Sequence, residues 1–199
     1  MDGPAELLRD FVNTYDVEAD ADELASPAEL AVWLRERELI SETDRAVDED
    51  WALAINLREG LRAALRHQGS ADATSAGMAA EVETDAAPAG MAAELETALA
   101  ALPLRVRLAE GRTPVPEPLG AGAARGVGLL AAAILSAHAD GGWPRLKVCA
   151  QDTCQWAFID SSKNRSRSWC SMRVCGNRTK TRAYRARRRH TPLSPEPAS

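Results

Sequence analysis

The chain has 199 residues and a net charge of −5, enough for one medium domain plus a small appendage. It opens MDGPAELLRD, with acids where a secretory signal needs positive charge, and its longest apolar run, 127–139, falls short of a membrane span; a cytoplasmic protein with reduced thiols and no membrane contact is expected. The charge is split, residues 1–144 summing to −15 and 145–190 to +11, which calls for an anionic partner for the basic part, a demand met equally by DNA, RNA or a membrane surface.

Leu7, Leu8, Phe11, Val12 and Tyr15 follow helical spacing and predict a first amphipathic helix. Asn13 and Thr14 interrupt its apolar face. They are read either as a candidate site for a small effector or, preferably, as the helix end and a cap for the next turn. Ser26-Pro27-Ala28-Glu29 is a capping box with proline at the first helical position, opening a helix to about residue 39 that buries Leu30, Trp33 and Leu34. A third helix, from about 43 to 66, sets Leu53, Leu57, Leu61 and Leu65 on one stripe.

After His67 the pattern dissolves, and 68–90 is expected to be a flexible loop insertion. It contains the repeat AGMAAEVET (76–84) and AGMAAELET (89–97), a short duplication whose second copy starts a helix. Leu104, Val106 and Leu108 alternate with arginines as in a half-buried strand, and Pro114, Pro116 and Pro118 confine the return stretch to an edge or to irregular structure. Residues 120–140 read as a buried helix. Its glycines echo a phosphate loop, but no strand precedes them and no lysine follows, so close helix packing is the better reading. Gly141-Gly142-Trp143-Pro144 then marks the boundary between an acidic helical domain, 1–143, and a basic module, 144–190. A disordered tail, 191–199, follows.

All four cysteines lie in that module as C-x4-C, fifteen residues, C-x4-C: Cys149, Cys154, Cys170 and Cys175. Two short thiolate pairs suit the tetrahedral shell of one structural zinc ion, whereas disulfides do not suit the compartment. Residues 155–160 are expected as a strand, 161–165 as a turn, 168–170 as a returning strand, and 172–189 as a helix. The fold class is thus α+β, mainly helical with a small hairpin, ending in a treble-clef-like four-cysteine zinc module. Trp156 and Trp169 are candidate base-stacking platforms, although a mini-core role is favoured.

The last helix is the expected reading head. Arg178, Arg182, Arg185 and Arg189 line one face; Asn177, Lys180, Tyr184 and Arg187 line another, with Arg173 and Arg188 adding charge. Arginine's fork bonds phosphate and guanine bidentately, and Asn177 could read adenine, cap the helix or support the zinc ligands. Arg165 and Arg167, in the turn, suit phosphate contacts that set register. The partner expected is nucleic acid, duplex DNA first, with RNA or an acidic protein as rivals. Four thiolates leave zinc no open position, so no enzyme is expected.

The segment from Cys149 to Arg189 resembles the CGNR zinc finger, whose signature stands intact as Cys175-Gly176-Asn177-Arg178 after Trp169-Cys170-Ser171-Met172. Asp10-Phe11-Val12-Asn13-Thr14, Ser26-Pro27 and Trp33-Leu34 resemble the ABATE domain that precedes this finger. The resemblance implies a stress-related bacterial transcription regulator with its finger binding DNA; the first domain is expected to sense a signal or to form a homodimer. Tyr184 departs from the pattern, standing where many members carry histidine.

Overall fold

The computed structural model describes residues 3–75 and 95–182. Helix α1, Pro4–Val12, starts at a proline that needs no N–H partner and buries Ala5, Leu8, Phe11 and Val12 as one stripe. It ends at Asn13. A two-residue strand pair follows, β1 (Tyr15–Asp16) with β2 (Ala21–Asp22). Helix α2, Pro27–Glu36, carries the expected cap: Ser26 Oγ accepts the Glu29 N–H (3.3 Å) and its hydroxyl donates to the Glu29 carboxylate (3.1 Å). Leu30, Trp33 and Leu34 are buried, as their spacing requires.

Helix α3, Asp48–Ser75, begins later than the sequence suggested. Asp44 accepts the Ser41 N–H (2.9 Å) and hydroxyl (2.8 Å) and closes a turn first; Asp50 then takes the Val47 N–H (3.0 Å) at the true helix start. The helix also runs to Ser75, so residues 68–75 are helical backbone rather than the start of a loop. The remainder of that expected loop, and the first repeat, lie outside the described residues. Ala54, Leu57, Leu61 and Leu65 form the buried stripe, and Leu53 packs at its margin. Helix α4 is described over 95–100 and contributes Ala98 to the core.

Strands β3 (Leu104–Ala109) and β4 (Thr113–Pro118) make an antiparallel hairpin with Val106 opposite Pro116 and Leu108 opposite Pro114. The expectation of a half-buried β3 is corrected: Val106 is 77% and Leu108 57% exposed. The hairpin packs on the next helix through β4, and β3 lies on the far side. The prolines fit because alternate residues of an antiparallel strand turn their N–H away from the partner. Thr113, Val115, Glu117 and Leu119 keep the inward donors, as the Leu119 N–H to Pro103 carbonyl bond (3.1 Å) shows.

Helix α5, Gly122–Ala139, is the centre of the core and packs on α1, α2, α3 and β4. By length and composition it could cross a membrane, which the apolar run 127–139 did not suggest, but most of it is buried against these elements. Its glycines serve close packing: a Cβ on Gly126 would lie 2.6 Å from Ile40 Cγ2, and one on Gly128 2.8 Å from Pro118 Cβ. A 3-10 turn, Trp143–Arg145, leads into β5 (Leu146–Val148), which pairs antiparallel with β6 (Ala157–Ile159). β6 therefore pairs backwards across the first cysteine pair, and not with 168–170 as expected. That later stretch is irregular, with Ala150 N–H to Ser168 carbonyl (2.8 Å) linking it to the knuckle. Leu146, Val148 and Ala157 belong to the same core as the helices. The chain is α+β, about half helical, with three small antiparallel strand pairs among the described residues.

Candidate metal centre and basic helix

The first cysteine pair sits in the β5–β6 connection. Cys149 donates its N–H to Trp156 carbonyl (2.9 Å), continuing the hairpin, and Cys154 closes a turn onto Gln151 carbonyl (2.9 Å). Gln155 then adopts φ +51°, a left-handed conformation costly for a side chain with a Cβ. It is held there from outside: Arg62, 4% exposed, donates to Gln155 carbonyl (3.1 Å) while also bonding Val12 (2.8 Å) and Tyr15 (3.1 Å) carbonyls. The neighbouring Arg58, 2% exposed, forks onto Asp22 (2.7 and 2.8 Å) and donates to Thr14 Oγ1 (3.0 Å).

The second pair opens the final helix. Ser171 Oγ accepts the Val174 N–H (3.3 Å) and caps a wide π-turn, Met172–Gly176, in which the Gly176 N–H reaches Ser171 carbonyl (3.1 Å). Helix α6 continues over 177–182 and is fixed to the knuckle by Thr179, whose hydroxyl lies 3.0 Å from both Gln151 Oε1 and Cys175 carbonyl.

The four sulfurs lie within 4.8 Å of one another, with Cys154–Cys170 and Cys170–Cys175 both at 3.7 Å. A zinc ion with Zn–S of about 2.3 Å sets tetrahedral S···S edges of about 3.8 Å. The spacing is that of ligands around one ion and far too long for a disulfide. Burial, and then the charge of Cys149, push the Cys170 thiol well up; burial pushes Cys175 up to about 11. Thiols packed this closely ionise together only beside a cation, so the donor set is built for one structural zinc. Trp169 packs on the cysteines as part of their small core, whereas Trp156 is 38% exposed.

The predicted nucleic-acid contacts divide into three groups. Arg165, Arg173, Asn177, Lys180 and Arg182 are exposed, with Asn177 Nδ2 bonded back to Arg173 carbonyl (3.0 Å). Arg178 is also exposed, but pairs with Glu18 in the β1–β2 turn (2.6 Å), which raises its pKa. Arg167 does not reach outward: its guanidinium donates to Cys170 carbonyl (2.7 Å) and lies over the Phe158 ring (5.0 Å), bracing a zinc ligand. Arg185, Arg187, Arg188 and Arg189 lie outside the described residues.

Asn13 and Thr14 are engaged internally. Asn13 Nδ2 donates to Ala157 carbonyl (3.0 Å) and its Oδ1 accepts the Ala157 N–H (2.7 Å), so it completes β6 like a strand partner. Thr14 Oγ1, buried, donates to Phe11 carbonyl (2.8 Å) and accepts from Arg58. The pair ends α1 and ties it to the zinc knuckle; the effector reading finds no support in these bonds. Arg58, Arg62 and Asp160 are the site-shaping residues that sequence reading missed. Glu59 accompanies the two arginines as an ordinary surface charge would, and the one signal was their place beside Leu57 and Leu61.

Two family models match the chain. One, the CGNR zinc finger, covers residues 145–188. The other, ABATE, described as "Putative stress-induced transcription regulator", covers 5–147. No curated protein matches the chain.

Proposed function

The chain belongs to the ABATE family, and from that premise we propose that it is a cytoplasmic transcription regulator whose zinc-held finger binds duplex DNA. The observation that carries this reading is the exposure of the basic residues Arg173, Lys180 and Arg182, projected by a helix whose first turn contains the zinc ligand Cys175. The metal fixes the helix, Thr179 sets its rotation, and arginine forks supply the contacts to phosphate and guanine. With four thiolates filling the zinc shell the role is binding and not catalysis. The helical domain serves as sensor or dimerisation unit.

Fluorescence anisotropy of the zinc-loaded protein against duplex DNA, single-stranded DNA and RNA, at stepped salt, tests this. Duplex preference with a steep salt slope is expected. Preference for unpaired strands would favour the second reading, RNA binding, for which the exposed Trp156 offers a stacking surface. Binding only to acidic proteins would displace both.

The acidic domain restrains the finger in this reading, because Glu18 holds Arg178 in place of phosphate. Glu18→Gln is expected to tighten duplex binding about threefold at low salt, the scale of an exposed ion pair. The gain vanishes when Arg178→Ala is added. Equal gains in both backgrounds would assign the effect to net charge instead. Deleting the helical domain is a poor substitute, since Leu146, Val148 and Ala157 would lose their core.

A further inference from the structure

Between β6 and the second cysteine pair runs a loop, 160–167, that is tied down far more firmly than an ordinary surface connection. It starts at Asp160, which is 0% exposed. One carboxylate oxygen accepts the Ser162 N–H (2.9 Å) and the other the Arg167 N–H (2.9 Å), so a single side chain clasps both ends. Lys147 Nζ lies 3.4 Å from the same carboxylate and donates to Arg165 carbonyl. Arg145 donates to the Asp160 (2.8 Å) and Ser162 (3.2 Å) carbonyls, and Ser162 Oγ accepts the Ser166 N–H (3.2 Å). Burial would push the Asp160 carboxyl up, but these N–H groups and the Lys147 charge hold it below the usual range, so the clasp is ionised.

What the clasp displays is uniformly suited to anions. Ser161, Lys163, Asn164, Arg165 and Ser166 are all exposed, and the loop's one acid is the buried Asp160. Arg165 is held at φ +51°, a strained conformation for a non-glycine residue. Neither Lys163 nor Arg165 makes an ion pair among the described residues. A loop ordered in advance loses little entropy on binding, and exposed cations on it suit the phosphate backbone.

We propose that residues 161–166 are a second phosphate-contacting element of the finger, in which Lys163 and Arg165 grip the duplex backbone and Asp160 holds the loop in its binding shape. This rests on the DNA-binding reading and adds to it a residue, Lys163, and the buried Asp160 clasp that orders the loop before it binds.

The test uses the full-length, zinc-loaded protein and duplex DNA in anisotropy titrations at stepped salt. Lys163→Ala with Arg165→Ala is expected to weaken binding about tenfold at low salt and to lower the log–log salt slope by about two, one for each phosphate no longer gripped. Arg45→Ala with Arg112→Ala removes the same charge elsewhere and should leave the slope unchanged. Asp160→Asn, checked for one zinc per chain, should bind several-fold more weakly with the wild-type slope, because the cations survive but must be ordered on binding. If the loop variant matches the Arg45/Arg112 control in affinity and slope while wild type binds duplex, the inference is overturned and the DNA reading stands. If wild type binds no duplex, both are overturned.

Discussion

Stripping the metal with a chelator is expected to unfold the knuckle, 149–156, and the stretch 168–182, while β5, β6 and the helical core persist. The second hydrophobic cluster consists of Cys149, Cys154 and Cys175 with Trp169 and Cys170 packed on them. A core of that size cannot offset the entropy of ordering its chain, so the metal supplies the difference. Structural zinc sites contribute about 10–16 kcal/mol at neutral pH. Without the ion, burial holds the Cys170 and Cys175 thiols, 3.7 Å apart, above their usual pKa, and such sulfhydryls bond each other only weakly. Hydrogen exchange should show protection lost in those two segments and retained at Leu146–Val148 and Ala157–Ile159, which belong to the larger core. Cys154→Ser or Cys170→Ser should reproduce the pattern. Unchanged protection after chelation would mean that the finger is held by its protein contacts alone.

Arg62→Ala should cost at least about 3 kcal/mol of stability, the scale for removing one partner from a buried charged network. The loss leaves three carbonyls, on Val12, Tyr15 and Gln155, without their donor and takes from Glu59 one of its two arginine partners. Arg62→Lys should not rescue it, because a single ammonium cannot reproduce a fork that spans α1, β1 and the knuckle. Denaturant titration measures the first effect. Zinc competition with a chromophoric chelator measures the second, a weaker site, since Gln155 next to Cys154 loses the bond that holds its left-handed backbone. A destabilisation under about 1 kcal/mol would show that water replaces the guanidinium at little cost.

The parts of this molecule that were legible in its sequence are those set by local chemistry. The cysteine spacing foretold a single metal centre, Ser26 and Glu29 marked the start of α2, and the leucines of α3 named their own buried face. The unread parts depend on partners distant in the chain. Asn13 is an interrupting amide until Ala157, 144 residues on, supplies the backbone it pairs with. Arg58 and Arg62 go unmarked in the sequence because helical spacing does not reveal that a neighbouring hairpin and knuckle close over them. The same holds for β6: alternation identifies a strand but not which segment it joins, and β5 won over 168–170. Arg167 gives the same lesson, because its place in a basic turn does not reveal that its guanidinium donates to the Cys170 carbonyl.

The proline spacing of β4 has a bearing on how copies of the chain could meet. Pro114, Pro116 and Pro118 present no donor on that strand's outer margin, while Leu104, Val106 and Leu108 leave theirs available on β3. The hairpin is therefore one-sided in its free edge donors. Two copies joined along β3 would make a four-stranded sheet bounded by proline on both sides, a closed pair that no third chain could extend.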